Sequence, residues 1–134
     1  MSKRRIAREI VLQSLFQIDF TDCEEGYALE ASCAEHSVED VAGARPYATE
    51  LLQGIIAAKE AIDAKISEYA IDWTVERMPA TDRNILRIAV YEMFFAKEPI
   101  ATGVVINEAV EIAKTYGTEE SSRFINGILG KMVR

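Results

Sequence analysis

The sequence predicts an all-α fold, a packed bundle of about six to seven helices, on three observations. Apolar residues recur at three- and four-residue spacing along almost the whole chain. No stretch sustains the period-two alternation of a half-buried strand. Prolines, a glycine and threonines fall where such helices should start and stop.

The first amphipathic segment covers residues 3–20, and a shorter, weaker one runs over Glu24–Glu35. Residues 46–70 carry Leu51, Leu52, Ile55, Ile56, Ile62, Ile66 and Tyr69 as one long stripe. Pro46 suits the first turn of that helix, where its missing N–H needs no partner. Thr81 is placed to cap a helix over 82–97. Its apolar residues, from Ile85 and Leu86 to Phe94 and Phe95, cover more than one face, as expected of a central helix. Pro99 breaks it, and Thr102 can cap the next, which runs to Tyr116. Gly117 is then expected at positive φ, where a Cβ would clash. Thr118 can cap the last helix, with Glu119 and Glu120 set against the positive end of its dipole.

At 134 residues and 49% hydrophobic, the chain is one domain's worth with ample material for a core. No apolar run approaches the ~20 residues of a membrane span, and Arg8 and Glu9 interrupt any signal-peptide core, so a cytoplasmic protein is expected. Cys23 and Cys33 lack metal-ligand spacing and are expected to be free thiols. His36 is the sole histidine, with no nucleophile motif and no phosphate-cradling glycine loop around it. Glu108 and Glu111 share a helix face at i, i+3, but no Glu-x-x-His partner exists, so a metal role loses to a helix-anchoring or solvated one. The expectation is a non-enzyme without cofactor or metal.

The charge is unevenly spread. Fifteen Lys and Arg against twenty-two acids give −7. Setting aside Lys3, Arg4, Arg5 and Arg8 leaves eleven basic residues against twenty-two acids, or −11, over residues 9–134. The chain is an acidic body with a basic tip, and net charge misdescribes it.

Helical angles sharpen this. At about 100° per residue with Arg5 at 0°, the core stripe of Ala7, Val11, Ser14 and Ile18 falls at about 180–240°. Leu12 falls at about 340°, Phe16 at about 20° and Arg8 at about 300°, away from that stripe. Either another part of the protein covers Phe16, or the ring and the arginines form a surface for single-stranded RNA. Cations would then neutralise phosphates and the ring would stack an unpaired base. In the last helix Phe124 likewise lies about 100° from the core stripe of Ser121, Ile125, Ile128, Leu129 and Met132. It either packs on a neighbouring helix or joins Phe16 in one surface.

Arg4-Arg5-Ile6-Ala7-Arg8-Glu9 and Leu12-Gln13-Ser14-Leu15-Phe16 resemble the start of the NusB family of bacterial transcription antitermination factors. The C-terminal half is more specifically similar: Ile85-Leu86-Arg87-Ile88-Ala89-Val90-Tyr91-Glu92, Val105-Ile106-Asn107-Glu108-Ala109-Val110-Glu111-Ile112-Ala113-Lys114, Tyr116-Gly117-Thr118-Glu119 and Phe124-Ile125-Asn126-Gly127-Ile128-Leu129. The resemblance covers essentially the whole chain and is weakest over 21–45. It implies two helical subdomains, about 1–72 and 73–134, packed across each other. It also implies binding of boxA RNA together with the small-subunit ribosomal protein acting as NusE, as part of an antitermination complex on RNA polymerase. Carried over by position, RNA contacts fall on the basic N-terminus (Lys3, Arg4, Arg5, Arg8), Phe16, Glu120 and Phe124. Contacts to the ribosomal protein fall on Glu76 and Asp82, both expected at the surface. Two other readings accompany it. One is a self-associating structural helical protein, a homodimer through its first helix. The other is the NusB-like part of an RNA cytosine methyltransferase, for whose cofactor domain this length leaves no room.

Overall fold

Seven α-helices account for most of residues 2–133, the part of the chain described by the computed structural model, and no strand occurs among those residues. Helix α1 (Lys3–Thr21) starts where Ser2 Oγ accepts the Arg5 N–H at 3.1 Å and stops at Asp22, whose φ of 54° ends the helix in the left-handed region. Helix α2 (Glu25–Cys33) follows after a short turn, and α3 (Val38–Ala57) begins with Ser37 accepting the Asp40 N–H at 3.2 Å. Pro46 therefore lies inside α3 and not at a helix start. The ring leaves a carbonyl one turn earlier without its helical partner, at exposed Ala42, where water can serve it. The long apolar stripe is divided: α3 ends at Ala57 and α4 (Lys59–Tyr69) restarts after Ala58.

Helix α5 (Ala80–Val90) starts one turn after a short 3-10 segment, with Pro79 and not Thr81 at its N-cap. It packs against α1, α4, α6 and α7, the central position its many-sided apolar pattern predicts. Ile85, Leu86, Ile88, Ala89 and Val90 are all buried. The helix does not continue to residue 97: Tyr91–Phe95 widens into a single π turn, closed by Ala96 N–H to Tyr91 C=O at 2.9 Å. That turn carries a buried acid, Glu92.

Helix α6 (Thr102–Tyr116) has Ala101 at its N-cap, so Thr102 is its first residue and not its cap. Gly117 is not at positive φ: its φ is −101°. What demands glycine there is space, since a Cβ would lie 2.5 Å from Ser121 Oγ and 2.9 Å from Ala113 O. That tight corner turns the chain into α7 (Glu119–Met132), with Thr118 at its N-cap as expected. α7 packs along α6 and against α5 and α4, while α1 lies on α2, α3 and α5.

Candidate nucleic-acid interface

The basic tip divides into two parts with different fates. Lys3 and Arg4 are exposed on the first turn of α1, and the Arg4 guanidinium lies 4.5 Å from the centroid of the Tyr47 ring. Arg5 is half-buried: its Nε donates to Glu108 Oε1 at 3.0 Å and its terminal nitrogen donates to Glu108 Oε2. The Arg5 hydrogen bond outweighs burial and holds the Glu108 carboxyl below the usual range.

Arg8 is not a surface cation. It is 3% exposed, its Nε donates to both Glu92 carboxylate oxygens at 2.9 and 3.0 Å, and its Nη1 donates to Glu108 Oε1 at 3.1 Å. Glu92, 1% exposed, also accepts from the Tyr47 hydroxyl. Burial, and then the hydrogen bond to Glu92, push the Tyr47 phenol well above its ordinary pKa, so it stays a donor. The helical angle placed Arg8 away from the α1 core stripe correctly, but another wall, built by α6 and the π turn, covers that side. A guanidinium this buried, and paired with two carboxylates, is not placed to reach a phosphate. Its work is to fix α1, and with it Lys3, Arg4 and Arg5, against the C-terminal helices.

Leu12, expected beside Phe16 on the open face, is buried as well. Phe16 remains open, at 41% exposure. Its ring lies 4.6 Å from that of Phe20, centroid to centroid and tilted by 34°, and Phe20 is more exposed still. Phe124 is half-buried and meets Trp73 edge-on, centroids 5.8 Å apart and planes at 69°. The packing half of the sequence alternative holds for Phe124: one side of the ring lies on the core, and the other borders an open cleft whose lining does not include Phe16.

Phe16 and Phe124 stand on helices that are not direct packing partners, and the first turn of α5 connects them. Asp19, one turn along from Phe16, accepts from Arg83 Nη2 at 3.0 Å and Asn84 Nδ2 at 2.9 Å. Next to these, Asp82 Oδ1 accepts from Ser121 Oγ at 2.7 Å, while that hydroxyl accepts the Thr118 N–H at 2.9 Å. Asp82, expected at the surface as a protein contact, is thus 5% exposed and pins the start of α7. Glu76 is exposed as expected, in the 3-10 segment, and Glu120 is exposed beside Arg123 at 3.4 Å.

The sequence profile of the NusB family matches residues 5–134. The chain belongs to the NusB family. It is 47% identical over 132 residues to the transcription antitermination protein NusB of Bdellovibrio bacteriovorus, covering 98% of this chain and 96% of that one. With the NusB of Heliobacterium modesticaldum it shares 46% identity over 131 residues, 98% of this chain but 62% of the length of that relative. A T. maritima NusB structure superposes with a TM-score of 0.83 at 38% identity, covering 98% and 90% of the two chains. A crystal structure of antitermination factors NusB and NusE in complex with dsRNA superposes at 0.81 and 27% identity, covering 98% of this chain and 96% of that one.

Within this NusB-family fold, sequence reasoning missed two exposed rings. Phe20 falls at about 60° on the same wheel as Phe16, so extending the angle count one turn would have found it. Trp73 lies outside any helix, where periodicity is silent. It is presented by a turn in which Asp72 takes a φ of 68° and the Trp73 N–H reaches Ala70 C=O at 3.2 Å. Among the described residues no cluster of three or more His, Cys, Asp or Glu side chains could hold a metal. Glu108 is taken by arginines and Glu111 pairs with Lys114 at 3.0 Å, while His36 Nε2 meets Gln13 Oε1 at 2.9 Å. Cys23 and Cys33 are free thiols, and burial pushes the Cys33 thiol up. No helix of the described residues is long and apolar enough to cross a membrane.

Proposed function

We propose that this NusB-family protein is a non-enzymatic antitermination factor of the cytoplasm. It binds the boxA element of nascent ribosomal-operon RNA together with the small-subunit ribosomal protein acting as NusE, and so helps assemble the antitermination complex on RNA polymerase. The observation that carries the reading is the division of labour along α1. Exposed Lys3 and Arg4 and half-open Arg5 stand at one end, while the open strip further along bears Phe16 and Phe20. Cations at one end supply counterion release on phosphate binding, and rings further along stack unpaired bases. Phe124 and Glu120 extend that surface at α7. Arg8 serves it by positioning. Relatives named as transcription antitermination protein NusB support the same role.

Exposed Glu76 is the proposed contact for the ribosomal protein, an acid suited to a basic partner. Buried Asp82 holds α7 and is not part of that contact. The test is titration of labelled boxA RNA with this protein, alone and with the ribosomal protein. Saturable binding that tightens when the ribosomal protein is added is expected. RNA binding absent in both arms would refute the proposal.

A further inference from the structure

One open cleft of about 360 Å³ lies between the Trp73 turn and the start of α7, a volume typical of small-molecule sites. Trp73, Phe124 and Pro79 give it apolar walls, and Asp82, Glu120 and Arg123 give it charge. Trp73 is 46% exposed, a large indole surface left in water beside an acidic rim. The edge-on contact with Phe124 fixes the indole plane without covering it. We infer that this cleft seats one unpaired RNA base, stacked on Trp73 and selected for an exocyclic amino group.

The inference rests on the RNA-binding reading above and adds both the stacking residue and the chemistry of the base. A base fits better than a phosphate because of the charges. Two carboxylates meet one guanidinium, which already pairs with Glu120. An anion would be repelled, whereas the amino group of cytosine or adenine donates hydrogen bonds that a carboxylate accepts. At the position of the cytosine amine uracil carries a carbonyl, an acceptor facing an acceptor, and its single N3–H is left as the only donor on that edge. Asp82 is held rigid by Ser121 Oγ at 2.7 Å, so the acidic wall is pre-organised, and exposed Glu120 can exchange its solvated pairing with Arg123 for the base edge. Lys3 and Arg4, at the far end of α1, are left to phosphates further along the strand, outside the cleft.

Trp73 is the chain's single tryptophan, so the wild-type protein carries its own reporter. Oligocytidylate and oligouridylate of equal length have the same phosphate charge and differ only in the base. Binding of each is followed by the anisotropy of an RNA label and, in parallel, by Trp73 fluorescence. Oligocytidylate should bind roughly five- to tenfold more tightly and quench the indole with the same midpoint as the anisotropy change. Trp73→Leu should weaken its binding roughly five- to hundredfold, the range for loss of one stacked base, with an unchanged circular dichroism spectrum. Glu120→Gln should narrow the cytosine–uracil difference. RNA that binds by anisotropy while leaving Trp73 emission unchanged, or without cytosine preference, overturns this inference and leaves the RNA-binding reading standing. Failure of both oligonucleotides and of boxA RNA to bind at all overturns both.

Discussion

Replacing Arg8 by alanine separates a buried anchor from a phosphate contact. Arg8 and Glu92 side chains are 4% and 1% exposed and meet through two hydrogen bonds of 2.9 and 3.0 Å, with Tyr47 and Glu108 completing the group. In Arg8→Ala, Glu92 stays buried with only the Tyr47 hydroxyl beside it. Removing one partner of such a pair costs about 3–5 kcal/mol, mostly the penalty of the orphaned charge. At about 4 °C per kcal/mol for a chain of this size, the melting temperature should fall by roughly 12–20 °C. Glu92→Gln added to Arg8→Met removes both charges and keeps an acceptor for Tyr47. That double variant should recover much of the loss, with a coupling above ~2 kcal/mol in a denaturant-melt cycle. At a temperature where Arg8→Ala is still folded, the slope of log affinity for RNA against log salt should match the wild type's. A melting temperature within ~2 °C of wild type, together with a salt slope smaller by about 0.7, would make Arg8 a free phosphate contact and refute the reasoning.

Lys3→Ala with Arg4→Ala should leave thermal stability nearly unchanged and reduce the salt slope of single-strand binding by about 1.4, or 0.7 for each lost phosphate; an unchanged slope would mean both cations are merely solvated. Phe16→Ala should cost well under the 3–5 kcal/mol of a core phenylalanine, about 1–2 kcal/mol by its partial burial, yet weaken RNA binding roughly tenfold. Thermal melts and RNA titration check the two halves, and a core-sized loss with unaltered affinity would place Phe16 among packing residues only. Glu108→Gln carries a pH signature. Because Arg5 holds the folded-state carboxyl below its ordinary value, its stabilisation is present above the unfolded pKa and is lost as pH falls through the lowered folded one. The variant should be less stable than wild type near pH 7, with the gap closing below about pH 4.5 in parallel denaturant melts; a gap independent of pH would exclude the charge pairing as its cause.

The helices themselves were legible because their apolar spacing is local. α1, α2, α6 and α7 fall within a residue or two of the periodicity, and the central role of α5 follows from its many-sided apolar pattern. What failed depends on partners distant in sequence. A helical wheel reports which residues share a face but not what lies against it, so exposure followed from the angle for Phe16 but not for Arg8 and Leu12. Asp82 read as a surface acid because the hydroxyl it holds comes from Ser121, in a different helix. Pro46 misled because a proline tolerated at an exposed mid-helix position looks the same in sequence as one at a start. Gly117 was flagged for the right position and the wrong physics: the corner needs absence of a side chain, not positive φ.

The anchoring of α1 has a consequence for how the protein is made. Arg8 and Glu92 are 84 residues apart, and Arg5 and Glu108 are 103 apart. On a ribosome adding about 5–20 residues per second, α1 emerges roughly 4–20 s before the carboxylates that neutralise it. During that interval α2 and α3 can offer it apolar surface but no acid for Arg8, and burying an unpaired guanidinium is prohibitive. The first helix synthesised is therefore locked in place late, and the basic tip acquires its orientation only once α6 has been translated. A nascent chain bearing Lys3, Arg4 and Arg5 stays without the proposed RNA-binding surface until its C-terminal helices arrive, which would couple that binding to translation of α6.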